Sequence, residues 1–276
     1  MFKKTMILII KLLRKIKDDD IFGLSAQFSY FIILGVFPFL ILTISILCGY
    51  SNYIYYILNS LSSILPPDVY NLVSSVVNYA VGSCGRPYLP ASIFVILWSA
   101  TSGSATIISG INTAYGFTEK RNYFFLRIRG ILLTLAIMLS IQIIFALIVT
   151  GGQLVIFVQN IALFSGITYI LINIFRYAMP FILLFVTFSA AYKLLPYEKV
   201  EFAFVFPGAL SATLGFIIGS YCYSHYISAR ILYYNSIYKN LSGLLIFIIW
   251  VYLLSIIFLA GAEVNYFASI HKNNKR

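Results

Sequence analysis

The most constraining feature of the sequence is a long apolar run, Leu241–Ala268, in which Glu263 is the one charged residue. At about 1.5 Å of rise per residue, this run would form a helix of roughly 42 Å, longer than the ~30 Å hydrocarbon core of a bilayer. We therefore expect the segment to cross a membrane, with Glu263 close to a membrane face and not at the midplane.

The composition extends this conclusion to the whole chain. Hydrophobic residues make up 61% of the sequence and charged residues 10%, whereas a water-soluble domain has about a quarter of its residues charged. The predicted fold class is an all-α, polytopic membrane helix bundle that forms a single domain over residues 1–276. The net charge of +11 does not indicate a nucleic-acid partner, because the basic residues lie in short clusters beside the apolar runs. Membrane lipids are the expected partners.

Apolar segments predict six transmembrane helices, at about 22–49, 91–115, 130–150, 168–192, 203–226 and 241–268. Residues 1–20 alternate basic and aliphatic positions, which predicts an interfacial helix, and Asp20 is a candidate cap for the helix that follows. The tyrosine-rich residues 50–90 are expected to form an outer-face subdomain of short interfacial helices. Basic loops are expected at Phe117–Arg129 and at Ile227–Asn240. A seven-span alternative divides residues 151–192 in two, but it reverses the side of every later loop.

The basic residues also predict the orientation. In the six-span arrangement, fifteen of the nineteen lysines and arginines lie on the side of the two termini. By the positive-inside rule, both termini are expected in the cytoplasm and the bundle in the cytoplasmic membrane.

Several residues inside the predicted spans are candidates for function or for close packing. Small and polar residues of the second span, Ser102, Thr106, Ser109 or Gly110, and Thr113, share one helix face, which suits either helix packing or a water-filled path. Arg176 is either a functional arginine or an anchor that reaches the interface. Glu263 either titrates or binds a cation, or it pairs with a juxtamembrane lysine or arginine.

Prolines and glycines indicate where helices bend or approach each other. Pro38 predicts a kink in the first span. Pro207 and Gly208 lie early in the fifth span, and Gly215 with Gly219 forms a G-x-x-x-G pattern typical of close helix contact.

Four blocks, in this order and spacing, resemble the YihY/BrkB family of bacterial inner-membrane proteins, a group once described as ribonuclease BN. The blocks are LSAQFSYFIILGVFPFL from Leu24, LWSATSGSATIISGINTAYG from Leu97, YKLLPYEKVEFAFVFPGAL from Tyr192 and IYKNLSGLLIFIIWVYLLSIIFLAGAEVNY from Ile237. Motif positions of the family match Tyr30, Pro38, Trp98, Asn112, Leu195, Pro196, Pro207, Gly208, Ala209, Trp250, Gly261, Ala262 and Glu263. One departure is Tyr238–Asn240, where relatives more often have Tyr-Gly-Ser. The resemblance implies six spans in the cytoplasmic membrane, but it implies no established activity.

The residue inventory argues against an enzyme. His225 and His271 are the only two histidines and lie in different segments, so no zinc-nuclease ligand set is indicated, and no G-x-S-x-G elbow occurs. We expect no cofactor and no metal. Two hypotheses remain: a transporter or lipid-handling permease for an unknown small-molecule or lipid substrate, or a non-transporting envelope scaffold that acts through residues 50–90. The sequence does not give the oligomeric state.

Overall fold

The computed structural model describes residues 2–46, 54–56, 58–59, 62, 67–82, 89–120, 122, 124, 126–132, 135–136, 139–140, 143, 165–238 and 241–273. Seven helices have defined bounds within these ranges: α1 Phe2–Asp18, α2 Ile21–Ile46, α3 Pro67–Gly82, α4 Leu89–Tyr115, α5 Ser165–Leu194, α6 Phe202–Tyr238 and α7 Ser242–Asn273. All regular structure in the described part of the chain is helical, which confirms the all-α prediction.

Four helical segments are long and apolar enough to cross a membrane, by length and composition. They are Ile21–Leu40, Phe94–Tyr115, Phe202–Arg230 and Ser242–Ile270, and Ala178–Leu194 is a shorter apolar helix. Much of the predicted span 130–150, and residues 151–164, lie outside the described residues. The number of six spans therefore stays a prediction.

Helix α7 lies at the centre of the bundle, since it contacts α1, α2, α3, α4 and α6. Leu259 and Ala262 of α7 are fully buried in the main core, together with Ile107 and Ile111 of α4 and Ala209 of α6. Small side chains permit the closest approaches: a Cβ atom at Gly110 of α4 would come within 2.8 Å of Leu259 Cδ2. In lipid, where apolar surface gains little from contact with another helix, such close packing is what holds helices together.

The turn between α1 and α2 is formed by the acidic residues that precede the first span. Asp20 has a φ of 49°, a left-handed conformation that aspartate tolerates better than most residues. Its carboxylate accepts a hydrogen bond from the Gly23 amide at 3.3 Å, so Asp20 caps α2 as the sequence predicted.

Two of the predicted loops are wrong in part. The loop Ile227–Asn240 is helical up to Tyr238, because α6 continues past its apolar segment; this stretch contains neither proline nor glycine, and Ile227 is buried against Ile246 of α7. The loop Phe117–Arg129 ends early, since residues 126–132 are helical. Each loop was predicted as the connection between two apolar spans, but polar and charged residues such as lysine and arginine are also good helix formers.

At the far end of α7 from α1, α3 packs across the bundle. Val73 of α3 lies against Ile227 and Ile246, and Val77 packs with Ile54 and Leu58. The described part of residues 50–90 is therefore attached to the ends of α6 and α7 by apolar contacts.

Candidate functional site

The end of α4 forms a closed turn around Asn112. The Phe117 amide donates to the Asn112 carbonyl at 2.8 Å, and the Gly116 amide donates to the Thr113 carbonyl at 3.0 Å. These two bonds, with Gly116 at a φ of 73°, are the Schellman arrangement that ends many helices. The turn fixes the direction in which the chain leaves α4.

The Asn112 side chain joins three segments of the chain. It is 3% exposed, its Nδ2 donates to Glu119 Oε2 at 2.8 Å, and its Oδ1 accepts from the Tyr197 amide at 2.8 Å. Pro196, the residue before Tyr197, is buried in the segment between α5 and α6. One amide therefore orients a carboxylate and holds the α5–α6 connection against α4.

A cavity of about 250 Å³ opens beside Asn112; its walls are mostly apolar with a few polar side chains, and we call it the α4 cavity. Successive turns of α4 form one wall of the cavity with Ser104, Ala105, Ile108, Ser109, Asn112 and Thr113. The other walls are formed by Phe117, Glu119, Leu126 and Arg127. The predicted polar face of α4 thus divides: Ser109 and Thr113 line this cavity, whereas Gly110 packs on Leu259 of α7.

Arg127 closes one side of the α4 cavity. Its Nη1 donates to the Thr101 carbonyl of α4, and Ser104 Oγ donates to the same carbonyl at 2.8 Å. Gly130 brings the following helix close to α4, because a Cβ atom there would collide with the Ser104 side chain. Arg129 Nη1 also lies 3.4 Å from the Leu194 carbonyl, at the end of α5. The cavity therefore lies at the same end of the bundle as the last residues of α5.

An apolar groove adjoins the same face of α4. It is lined by Tyr30, Ile33, Leu34, Phe37 and Pro38 of α2 and by Val95 of α4. Elsewhere on α4, Trp98 is 54% exposed and Phe94 is 70% exposed, and neither residue lines this groove. The helical spacing from Phe94 through Trp98 to Ala105 and Ser109 places these exposed residues in one stripe, and Ala105 and Ser109 of this stripe line the α4 cavity.

The predicted functional residues Tyr30 and Trp98 therefore face outward and not into the bundle. Tyr30 is 57% exposed, and its ring meets Phe31 edge-on at 5.3 Å. Their surroundings are those of side chains that contact lipid.

Glu263, the other predicted site, lies under α1. Its side chain is 0% exposed, and Lys15 Nζ lies 3.1 Å from Oε2. Lys15 also pairs with Asp19. Neither Glu263 oxygen has a hydrogen-bond partner among the described residues. The contact between the Lys15 ammonium and the Glu263 carboxylate is therefore an ion pair without a well-aligned hydrogen bond. Glu263 lines neither the α4 cavity nor the apolar groove.

Lys15 is held as a cation by these contacts. Burial lowers the pKa of Lys15, but its hydrogen bond to Asp19 and the charge of Glu263 outweigh burial, so the pKa is raised above its ordinary value. The ammonium also lies 4.5 Å from the centre of the Tyr266 ring, a distance that suits a cation–π contact. The contacts of Lys15 with Glu263 and Tyr266 thus bind α1 to the end of α7, while Asp19 holds the Lys15 ammonium from its own side.

Beside Glu263, α6 and α7 touch backbone to backbone. The Gly208 amide donates to Asn265 Oδ1 at 2.6 Å, and a Cβ atom at Gly208 would collide with the Gly261 carbonyl. Gly261 lies against the Tyr192 hydroxyl and Ala212. Pro207 precedes this contact within α6. Side chains larger than hydrogen are excluded from both glycine positions.

The remaining predicted residues have simpler surroundings. Gly215 and Gly219 of α6 face Ile257 of α7. Pro38 lies inside α2, which continues to Ile46. Arg176 lies in α5, in a part of the helix whose side chains are not among those described.

Three residues of the site were not singled out from sequence: Glu119, Arg127 and Lys15. Glu119 and Arg127 were assigned to a basic loop, and Lys15 to a solvated helix face. The signal available for Glu119 was its position seven residues after Asn112, just past the glycine that ends α4. For Glu263, pairing with a juxtamembrane lysine or arginine was one of the predicted alternatives, and the structure shows that Lys15 is the partner. Within the described ranges, no group of three or more His, Cys, Asp or Glu side chains is placed to hold a metal ion.

Comparison with known proteins agrees with the resemblance. The family model described as Virulence factor BrkB matches residues 12–276. The ribonuclease-like protein YfkH of Bacillus subtilis is 30% identical over 254 residues, which cover 91% of this chain and 90% of YfkH. A UPF0761 membrane protein of Vibrio atlanticus is 26% identical over 92% of this chain and 79% of its own length.

A second UPF0761 membrane protein, from Psychromonas ingrahamii, is 36% identical over 86 residues, or 31% of this chain and 29% of its own. No solved structure matches. The family match over residues 12–276 and the full-length similarity to YfkH show that the chain belongs to the BrkB virulence factor family of membrane proteins.

Proposed function

We propose that this protein is a lipid-handling permease of the cytoplasmic membrane, with both termini in the cytoplasm. The observation that carries the proposal is that α4 borders both a cavity with several hydroxyl and charged side chains in its walls and a separate apolar groove. A phospholipid has the same division, with a polar headgroup and apolar chains.

The α4 cavity suits a headgroup in its chemistry. It offers hydroxyls from Ser104, Ser109 and Thr113 and charges from Glu119 and Arg127. Ligand sites combine mostly apolar walls with a few placed polar groups. The groove beside Tyr30 and Pro38 provides the apolar surface for acyl chains.

The geometry does not favour a route through the centre of the bundle. Glu263 is buried under Lys15, and the neighbouring glycines of α6 and α7 are in contact. A path along the outer face of α4 requires no opening of this packed core.

The name of YfkH raises the question of ribonuclease activity in this chain. Metal-dependent cleavage of RNA needs several ligands that converge on an ion, and the described part of this chain brings no such group together. We propose a protein that is not an enzyme and has no nucleic-acid partner.

The proposal is tested by lipid movement in proteoliposomes. Ala105→Leu places a larger side chain in the α4 cavity, and Ala203→Leu makes the same change at an exposed position of α6 outside it. We expect the unaltered protein and Ala203→Leu to accelerate the movement of a fluorescent phospholipid between leaflets, measured by dithionite quenching, and Ala105→Leu to lose most of this effect.

Two outcomes would contradict the proposal: a rate with the unaltered protein equal to that of protein-free vesicles, or a rate that Ala105→Leu leaves unchanged. Exposed tyrosines at Tyr55, Tyr56 and Tyr79 are the observation that favours the scaffold alternative, since such residues suit contact with a partner. That alternative predicts that a cellular phenotype follows substitutions at these tyrosines and ignores Ala105→Leu.

A further inference from the structure

We propose that the outward face of α1 binds the headgroups of anionic phospholipids in the leaflet on which α1 lies. We call this face the α1 stripe, and its members are Ile10, Leu13, Arg14 and Lys17. None of them lines the α4 cavity, so the inference goes beyond the proposed function and does not depend on it.

The α1 stripe lies on the side of the helix that faces away from the bundle. Its four members follow the i, i+3, i+4, i+7 spacing that places side chains on one helix face, and all four are exposed. Other faces of α1 hold Lys15 against Glu263 and Ile16 against the main core. The bundle therefore occupies one side of α1 and leaves the α1 stripe open.

Two neighbouring helices place α1 at the level of a membrane face. α1 ends at Asp18, and the candidate span Ile21–Leu40 begins directly after the turn. Lys15 meets Glu263, which lies about 10 Å along the helix axis before the end of the candidate span Ser242–Ile270. This segment has 29 residues and is longer than the ~30 Å hydrocarbon core, so its last turns reach the headgroups. α1 packs on these turns.

The charges around the α1 stripe favour an anionic partner. Lys17 and the neighbouring Lys11 are exposed, and among the described residues no carboxylate lies within ion-pair distance of either. Arg14 lies 3.7 Å from Asp18, but an ion pair as exposed as this one contributes little stability. The three basic side chains thus face one carboxylate, which leaves an excess of positive charge for lipid phosphates.

Exposed aliphatic side chains distinguish a membrane from a soluble acidic partner. Ile10 is 56% exposed and Leu13 is 60% exposed, within a turn of Arg14 on the same stripe. A helix on a membrane buries such side chains at the acyl boundary, while lysine and arginine extend to the phosphates. A soluble polyanion offers the charge but no apolar phase. The combination therefore favours an anionic lipid surface.

The test measures amide hydrogen exchange of α1 in the full chain, reconstituted into nanodiscs. The lipid is phosphatidylcholine alone or an equal mixture of phosphatidylcholine and phosphatidylglycerol with the same acyl chains. Lys11→Gln/Lys17→Gln removes two charges at the α1 stripe, and Lys11→Arg/Lys17→Arg keeps them. Lys120→Gln/Lys199→Gln removes two charges at exposed positions outside α1 and is the control. Melting temperatures show which variants fold.

We expect α1 to exchange on the order of tenfold more slowly in the mixed nanodiscs, because each basic side chain near an anionic surface contributes about fivefold. Lys11→Gln/Lys17→Gln should remove most of this difference, since the remaining Arg14 has Asp18 as its partner. The arginine variant and the control should keep the difference, and added salt should reduce it. If the double glutamine variant does not fold, Lys17→Gln alone decides, with a loss of about fivefold.

Equal exchange of α1 in the two lipids would overturn the proposal, as would a difference that the control removes to the same extent as Lys11→Gln/Lys17→Gln. Poly-glutamate added to phosphatidylcholine nanodiscs tests a soluble acidic partner: protection equal to that given by phosphatidylglycerol would assign the α1 stripe to such a partner and overturn the lipid. Protection found only in nanodiscs that hold two copies of the chain, in either lipid, would assign the face to a second copy and also overturn it.

Discussion

At the scale of single residues, the glycines of α6 differ in what they touch. Gly208 lies against backbone, the Gly261 carbonyl, whereas Gly219 lies against the far end of the Ile257 side chain, 2.8 Å from its Cδ1 atom. Backbone in a packed helix pair cannot move aside, but a terminal methyl group can. Nothing lies within 4 Å of a Cβ atom at Gly82, at the end of α3.

This difference predicts a graded response to one added methyl group. We expect Gly208→Ala to lower the free energy of unfolding by about 3 kcal/mol, Gly219→Ala by about 1 kcal/mol, and Gly82→Ala by close to zero. The measurement is unfolding of the purified protein in mixed micelles as the fraction of a denaturing detergent increases. Equal stability of Gly208→Ala and Gly82→Ala would contradict the backbone contact between α6 and α7.

Residue identity by itself suggested some of these contacts. The sequence Gly215-x-x-x-Gly219 indicated that a helix comes close, because small residues at that spacing suit a helix contact. It did not indicate Asn265, which accepts the Gly208 amide hydrogen bond. No local pattern marks an asparagine as the partner of a backbone group more than fifty positions away.

At the scale of elements, the contact of Lys15 with the fully buried Glu263 is one of the attachments of α1 to the bundle, beside the packing of Ile16 on the main core. Lys15 of α1 lies on Glu263 of α7, and removing the cation would leave a fully buried carboxylate without its partner. Breaking such a pair on one side costs more than replacing both partners. The attachment of α1 should therefore depend on Lys15 more than on its other basic residues.

We expect Lys15→Met to destabilise the protein by about 3 kcal/mol, and the double variant Lys15→Met/Glu263→Gln to recover a substantial part of that loss. Lys11→Met, which removes the same charge at an exposed position of α1, is the matched control and should have little effect. Thermal unfolding in detergent gives the stabilities, and amide hydrogen exchange of α1 reports its attachment. A double variant no more stable than Lys15→Met would argue against the pairing.

The direction of the Lys15 pKa shift sets the pH range of this attachment. A raised pKa means that folding favours the protonated amine, so its contribution to stability is complete below the ordinary lysine pKa. The contribution is lost only as the pH rises through the raised value. Across the physiological range, Lys15 is therefore expected to stay protonated and its contribution to be complete.

At the scale of the whole molecule, the distribution of basic residues predicts how the bundle lies in the membrane. The end that carries α1, Lys193 and Glu198 is expected in the cytoplasm, and α3 on the opposite side. The structure fixes the relation between these parts but contains no membrane.

Single cysteines introduced into a cysteine-free background test this orientation. We expect Asn71→Cys on α3 to react with a membrane-impermeant maleimide in intact cells, and Glu198→Cys to react only after the cells are permeabilised. Both positions are exposed on the protein, so burial does not explain a difference between them. Labelling of Glu198→Cys in intact cells would reverse the predicted orientation.

The sequence by itself determined that this is an all-helical membrane protein. It placed the ends of α2, α4, α5 and α7 within a few residues, but it ended the fifth span at about 226, whereas α6 continues to Tyr238. Backbone N–H and C=O groups in lipid must form their hydrogen bonds within each helix. A membrane span therefore appears in the sequence as a long apolar run. Family motifs also indicated Asn112 and Glu263 as residues of interest.

Only the tertiary structure shows which groups those residues contact. It placed Glu263 under Lys15, joined Asn112 to Glu119 and Tyr197, and brought Arg127 to the wall of the α4 cavity. Hydropathy indicates the length of a helix but not the direction in which each of its faces points. The partners of a polar group, moreover, lie far away in sequence. Helix rotation and close packing, which small residues at a few contacts control, select those partners.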